Sequence, residues 1–238
     1  MNISVVIPAY NEEKRIASCL KSIFNQSKAP FEVIVVDNNS TDDTVMIAKE
    51  FGVKVIEEKR QGVTFARNTG FDAAMGDVIA RTDADTVVSS NWIERINNHF
   101  ENDPTLDAIS GPAVFGSRIL SPIVKLLVFE ANKKIFGHVC MYGPNFAIKK
   151  SAWNRVRSEV CLDDEKVHED LDISIHVGKS GKIGYDSKLK VRTSARRLRH
   201  SPSSQLVEYL VRWADMIAYH KKYRITSFAS RIKQKINN

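Results

Sequence analysis

The stretch VIARTDADT, residues 78–86, decides how the rest of the chain is read. It opens as an apolar strand and closes on Asp83 and Asp85 around one alanine. Taken alone, the aspartates read equally well as turn punctuation, since aspartate hydrogen-bonds its own backbone in turns. In extended backbone, however, residues i and i+2 project to the same side. The spacing then predicts that Asp83 and Asp85 converge on one point, with Ala84 turned away. Two such hard carboxylates begin an oxygen-ligand site of the kind that Mg2+ or Mn2+ occupies. The choice between turn and site rests on where this strand stands in the fold.

Upstream, the chain alternates with a regular beat. ISVVIP (3–8), FEVIVVD (31–37) and VKVIEE (53–58) read as strands, which makes VIART the fourth. Between them, EEKRIASCLKSIFNQ (12–26) places Ile16, Leu20, Ile23 and Phe24 on one helical face. STDDTVMIAKEFG (40–52) starts with Ser40 or Thr41 as a cap and stops at Gly52. GVTFARNTGFDAAMG (62–76) supplies the third helix. This βαβαβαβ succession implies a parallel sheet with right-handed crossovers and helices on both faces. Ligands of such sheets bind beyond the carboxyl ends of the strands, where Asp83 and Asp85 stand.

Downstream the beat loosens. NWIERINNHFEN (91–102) reads as a helix and LDAISGPAVFG (106–116) as a strand near the sheet edge. SPIVKLLVFEANKKIF (121–136) has helical spacing, and YGPNFAIKKSAWNRV (142–156) suggests a short strand turning into a helix. A helix over 169–179, two short strands around KIGYDSKLKV (182–191) and a long helix from about 203 to 223 follow. The tail ITSFASRIKQKI (225–236) places Ile225, Phe228, Ile232 and Ile236 on one side of a basic helix.

The 238 residues suffice for one α/β domain of ordinary size with an appended element. With 43% hydrophobic and 26% charged residues, the composition is that of a globular protein with ample core. MNISVVIPAY enters a strand at once, so no secretory signal is expected. The most apolar stretch, 119–129, is short and broken by Pro122 and Lys125, so no membrane span is expected either. Cys19, Cys140 and Cys161 show no CxxC spacing and read as free thiols of a cytoplasmic protein. The net charge of +7 is uneven: residues 188–238 hold 13 Lys and Arg against Glu208 and Asp215, or +11, leaving −4 before them. Such a segment suits anionic lipid, nucleic acid or phosphorylated substrates, or simply solubility.

The other strand ends carry polar clusters. PAYNEE (8–13) combines Pro8, which suits a strand leaving its ladder, with Tyr10, a flat ring for a base, and Glu12 in the first helical turn. Acids there also suit a bare helix start. In VVDNNSTDDT (35–44), Asp37 is placed to accept hydrogen bonds from a ribose hydroxyl or a base. Asp42 and Asp43 read as structural. There is no GxxxxGK(S/T) loop to cradle phosphates, and a metal clamp at Asp83 and Asp85 would fill that role.

Four ordered motifs, VVIPAYNEE (5–13), VIVVDNNSTDDT (33–44), GVTFARNTGFDAAMGDVIARTDADT (62–86) and HEDLDIS (168–174), resemble the signature of family 2 glycosyltransferases with the GT-A fold. The resemblance spans roughly residues 3–197. It implies a Rossmann-like α/β fold: a mixed, mainly parallel central sheet with helices on both faces, here with a C-terminal helical extension. The implied organisation is a GT-A domain over 1–200, with a nucleotide-sugar-binding half (1–106) and an acceptor-side half (107–200), then a basic helical extension (201–238). It further implies an inverting transferase that takes a UDP- or GDP-type nucleotide sugar with Mn2+ or Mg2+. By position, Pro8, Tyr10, Glu12 and Asp37 would surround the nucleoside, and Arg67, Asn68 and Asp83 the ribose and sugar diphosphate. Asp85 would be the direct metal ligand, with Asp83 beside it. Many relatives read DDGS where this chain has DNNS, so Asn38 replaces a carboxylate and leaves the nucleobase open.

The resemblance makes Asp170 the general base, with Glu169, Asn145 and Trp153 on the acceptor side; a core tryptophan is the equal alternative for Trp153. The plain alternative for 163–172 is an acid-rich helix start. His200 is an additional metal candidate, against an ordinary surface histidine. YLVRW (209–213) resembles the QxxRW motif of processive synthases, but Tyr209 stands where Gln belongs, so transfer of a single sugar is expected. The basic tail suggests a glycan or lipid-linked acceptor and peripheral contact with the anionic inner face of the cell membrane. A non-catalytic nucleotide- or glycan-binding protein of the same fold is the alternative. Nucleic acid is not an expected partner, for the basic segment lacks interleaved aromatics.

Overall fold

The computed structural model describes residues 1–115, 130, 132–194, 196, 211, 213, 215–217 and 220. Strands β1 (Ile3–Ala9), β2 (Glu32–Asp37), β3 (Lys54–Glu57) and β4 (Val78–Arg81) lie parallel in the order β3-β2-β1-β4. Helices α1 (Ile16–Phe24), α2 (Thr44–Glu50) and α3 (Val63–Ala73) join them. β1, β2 and β4 read as nearly unbroken apolar runs because both faces of the sheet are covered. Alternation then sorts the side chains. Val5, Ile7, Val33, Val35, Val78 and Ala80 meet α1, whereas Val6, Ile34, Val36 and Ile79 meet α3 on the opposite face.

Helix α3 approaches the sheet closely at Gly70. A Cβ there would lie 2.4 Å from Val6 Cγ1 and 2.8 Å from Val36 Cγ2, so hydrogen is the only side chain that fits. Ahead of the helix, Gly62 has φ +143°, a conformation that L side chains rarely adopt. The N-terminus of α3 is held from far away, since the Asp164 carboxylate accepts the Thr64 N–H at 3.2 Å and also the Thr64 hydroxyl.

The second half completes the sheet out of chain order. β5 (Thr86–Val88), α4 (Trp92–Asn102), β6 (Leu106–Ser110), β7 (Ala113–Val114), α5 (Asn132–Phe136), β8 (Phe146–Lys149), α6 (Lys150–Val156), α7 (Glu169–Ser180), β9 (Lys182–Tyr185) and β10 (Val191–Thr193) follow. β8 inserts between β4 and β6, antiparallel to both, and β9 closes the edge parallel to β6. The result is a seven-stranded, mixed and mainly parallel sheet, as expected. β5, β10 and β7 form a separate three-stranded sheet beyond the end of β4. The sequence did not show it, because strands of two or three residues have no readable period.

Four expectations are corrected. Phe24 lies off the buried face of α1, half exposed and stacked on Phe51, while Cys19 takes its place in the core. Neither Ser40 nor Thr41 caps α2: Ser40 Oγ accepts the Asn11 N–H at 3.0 Å, and Asp42 Oδ1 accepts the Thr44 N–H at 3.0 Å. Asp83 and Asp85 do not lie together on the strand, for Ala84 and Asp85 are in a turn. The strand ends at Arg81, and the Thr86 N–H donates to Asp83 O at 3.0 Å, closing a turn across the pair. LDAISGPAVFG is two strands in two sheets, with β6 one position in from the edge. The three cysteines are free, Cys19 and Cys140 buried. Among the described residues no helix is long and apolar enough to cross a membrane. Residues 211, 213, 215–217 and 220 are helical, whereas the tail helix over 225–236 and most of 121–136 lie outside the described residues.

Candidate active site

The carboxyl ends of β1, β2 and β4 and the start of α7 come together on one side of the sheet. Tyr10, just past β1, is 51% exposed, and Pro8 is half-buried. Glu12 is buried at the start of the next turn, where its carboxylate accepts from Arg196 Nη2 at 2.5 Å and Arg15 Nη1 at 3.4 Å. Asp37 ends β2 buried, its carboxylate accepting the Ser40 N–H at 3.3 Å. Asn38 explains why the chain carries an amide there. Its Nδ2 donates to Glu58 O at 2.8 Å and Arg60 O at 2.7 Å, and its Oδ1 accepts the Gly62 N–H at 2.8 Å. A carboxylate at this position has nothing to give the two carbonyls.

Arg81 is the joint of the site. It ends β4 almost fully buried, with Nη2 3.0 Å from Asp83 Oδ1 and Nη1 paired with Glu169 Oε1. Arg67 Nη1 takes the other oxygen of Glu169 at 2.6 Å and the Glu169 carbonyl at 2.8 Å. One buried carboxylate thus sits between two buried guanidiniums, an arrangement that stands only while all three partners are present. Burial works against the charge on both arginines. It depresses Arg67, whereas Glu169 and Asp83 outweigh it at Arg81 and raise that group.

Asp170 follows in the first turn of α7. Its Oδ2 accepts the Gly143 N–H at 2.8 Å and its Oδ1 the Leu171 N–H at 2.8 Å. The Cβ position of Gly143 is 2.9 Å from Arg81 Nη1 and 3.4 Å from Asp170 Oδ2, which sets Asp170 beside the Arg81 guanidinium. Burial, then the neighbouring Glu169 charge, raises the Asp170 carboxyl above the ordinary aspartate value; His168, the Gly143 N–H and Arg81 oppose the shift.

At the strand tip, Asp85 Oδ1 accepts from Thr193 Oγ1 at 3.2 Å and Thr86 Oγ1 at 3.4 Å, so β10 helps to orient it. Both aspartates lie close to Cys19, whose thiol is pushed up by burial and then by their two charges. The donor set here is all oxygen, which fits Mg2+ or Mn2+ in preference to a thiolate-seeking ion.

The sequence matches Glycosyl transferase family 2 over residues 4–155. The chain belongs to that family. A glycosyltransferase of Haloferax volcanii, AglE, is 40% identical over 101 residues, covering 39% of this chain and 33% of AglE. The chain therefore spans about a third of that relative's length. Two solved structures share the fold. A mannosyltransferase of Pyrobaculum calidifontis in complex with GDP-Man and Mn2+ has a TM-score of 0.69 at 23% identity, covering 91% of this chain and 64% of that one. S. aureus TarS in complex with UDP-GlcNAc has a TM-score of 0.67 at 20% identity, covering 82% and 58%.

For this family 2 chain the structure rearranges several expected roles. Asn145 is 0% exposed and used up internally: Nδ2 donates to Leu189 O at 2.6 Å and Oδ1 accepts from Trp92 Nε1 at 2.8 Å. Trp153 is 1% exposed, edge-on to Phe71 at 5.2 Å, with Nε1 donating to Asp72 Oδ1 at 2.8 Å. Neither side chain faces an acceptor; both belong to the core. Arg67 is 0% exposed and meets the site through Glu169, and Asn68 Oδ1 accepts from Arg67 Nε at 2.9 Å. Glu169 itself is occupied by the arginines rather than turned outward. His200 lies outside the described residues. Arg81 and Gly143 were missed. An arginine inside an otherwise apolar strand was the signal for the first, since buried charge demands a partner.

Proposed function

We propose that the chain transfers a single sugar from a nucleoside-diphosphate sugar to an acceptor hydroxyl, with inversion. The observation that supports this reading is the Arg81 guanidinium, which touches Asp83 and Glu169 at once and so links the end of β4 to the turn of α7 that carries Asp170. Donor diphosphate and acceptor hydroxyl then meet on one face. Asp170 takes the proton from the acceptor hydroxyl, whose oxygen forms a bond to the anomeric carbon. The bond from that carbon to the diphosphate breaks, and the diphosphate leaves with the electron pair. Burial and the Glu169 charge raise the Asp170 carboxyl, which makes its ionised form a stronger base. Mn2+ or Mg2+ held by Asp85 and Asp83 would neutralise the leaving diphosphate. Tyr10 and Asp37 bind the nucleoside, with Pro8 and Glu12 shaping that end. The GDP-Man and UDP-GlcNAc complexes of the two fold neighbours support a GDP- or UDP-type donor.

We assign residues 1–106 to the donor and 107–200 to the acceptor, and place the acceptor, a glycan or lipid-linked glycan, at the inner membrane face, on the strength of the +11 segment. Donor panels with and without Mn2+, read by thermal stabilisation and by product formation, test the proposal. One donor should stabilise the protein only with metal. Asp170→Asn should abolish transfer while donor binding persists, and full activity in that variant would sink the assignment.

A further inference from the structure

A second cluster of metal-ligating side chains lies apart from the acidic tip. Asp172 and His176 stand one turn apart on α7, and His220 comes from the helical residues near the C-terminus. All three are buried, with one ligand atom of each within 4.8 Å of the others. Asp172 Oδ1 is 2.8 Å from His220 Nε2 and 3.6 Å from His176 Nε2. Tetrahedral bonds of about 2.0–2.1 Å set neighbouring ligand atoms roughly 3.4 Å apart. The two separations straddle that value, so sub-ångström side-chain shifts suffice to admit an ion.

The surroundings favour an ion over a mere hydrogen-bonded trio. Metal-bound histidines hand their other ring nitrogen to a carboxylate, and bound carboxylates are themselves hydrogen-bonded. His176 Nδ1 lies 3.1 Å from Glu159 Oε2, with Lys179 Nζ at 3.3 Å. Asp172 Oδ2 accepts the Cys161 N–H at 2.8 Å. Two of three ligands therefore carry the outer contacts that fix ring and carboxylate orientation. Two imidazoles with one carboxylate suit zinc-class ions, not Mg2+ or Ca2+.

We propose that Asp172, His176 and His220 bind a zinc-class divalent ion that fastens the C-terminal helical residues onto α7, the helix that begins with Glu169 and Asp170. The site is structural: it braces the helix that positions the base and takes no part in transfer. It stands independently of the proposed transfer reaction, because its ligands come from a different set.

The test uses the full chain, stripped of metal and titrated with Zn2+ alone, without nucleotide. Metal content, melting temperature and the visible absorption of a Co2+-substituted sample are read. One equivalent should bind, and Zn2+ at roughly 100-fold over its Kd should raise Tm by about 5–10 °C. The Asp83→Asn/Asp85→Asn double variant should keep both responses, and His176→Gln and His220→Ala should lose them. Should either histidine variant fail to fold, the Co2+ spectrum of the wild-type chain decides, because tetrahedral nitrogen–oxygen ligation absorbs far more strongly than an octahedral all-oxygen site. No bound equivalent, a weak octahedral spectrum, or a zinc response that disappears only with Asp83 and Asp85 overturns the proposal.

Discussion

Replacing Glu169 with glutamine puts the most weight on the geometry described above. The substitution keeps size and shape but removes the charge shared by Arg67 and Arg81, both buried. Breaking a buried ion pair from one side costs about 3–5 kcal/mol, because the remaining charge stays behind without compensation. Two guanidiniums lose one carboxylate here, while Arg81 retains Asp83, so a loss of about 4 kcal/mol is expected. At about 2–4 °C per kcal/mol for a chain of this size, Tm falls by roughly 8–16 °C. The second readout is catalytic and has a definite sign. Glu169 helps to hold the Asp170 carboxyl up, and Arg81 pulls it down. Without the Glu169 charge the Asp170 pKa falls, so the acidic limb of the pH–rate profile moves to lower pH. Glu169→Asp keeps the charge and shortens the reach; it should lose roughly half as much, about 2 kcal/mol, and leave the limb in place. Urea melts and pH–rate profiles on the three proteins decide. A Glu169→Gln protein as stable as wild type, or with its acidic limb unmoved, would refute the shared-carboxylate reasoning.

Other outcomes follow from single contacts. Asn38→Asp turns two donors into a carboxylate facing the Glu58 and Arg60 carbonyls and should cost about 2–4 kcal/mol in denaturant melts; a neutral result would mean that the loop re-forms without the amide. Gly70→Ala should destabilise by about 1–3 kcal/mol despite the better helix former, because its Cβ collides with Val6 and Val36, and Val6→Ala should recover part of the loss in a double-mutant cycle. Burial opposes the charge on Asp172, but the His176 and His220 imidazoles and the Cys161 N–H outweigh it and hold the group at about 2. A depressed carboxylate stabilises above its unfolded pKa and loses that effect as pH falls through the folded one. On acid titration between about pH 4 and pH 2, Asp172→Asn should therefore lose about 2 kcal/mol less than the wild type, in which Glu58 and Asp186 titrate over the same window. Trp153→Ala should cost about 3–5 kcal/mol, and a stable variant with impaired acceptor use would return that ring to the site.

The first four strands and three helices were legible because their patterns are local: apolar runs, helical spacing and glycine punctuation recur every few residues. The acidic tip was legible as composition, but not as geometry. Nothing in the spacing of Asp83 and Asp85 says that the strand stops at Arg81 and that a turn carries both. Asn145 and Trp153 were assigned to the acceptor by their place near a motif, yet one turn of chain decides whether a polar or aromatic side chain meets solvent or core. Arg81 and Glu169, 88 residues apart, could be paired only by the sheet that brings them together.

The insertion of β8 between β4 and β6 sets a timetable for the ribosome. Until residue 149 has emerged, β4 presents one open edge, and β6 has no neighbour through which to join the main sheet. At the same stage Arg67 and Arg81 are buried cations in waiting, since their carboxylate arrives at residue 169. The start of α3 likewise waits for Asp164. A nascent chain of 106 residues is thus a sheet with a sticky margin, an Arg67 without its carboxylate and an Arg81 held by Asp83 alone, not a finished half. Residues before and after 106 share one folding event, and slow translation across residues 107–169 lengthens the interval in which that margin can pair with the wrong strand.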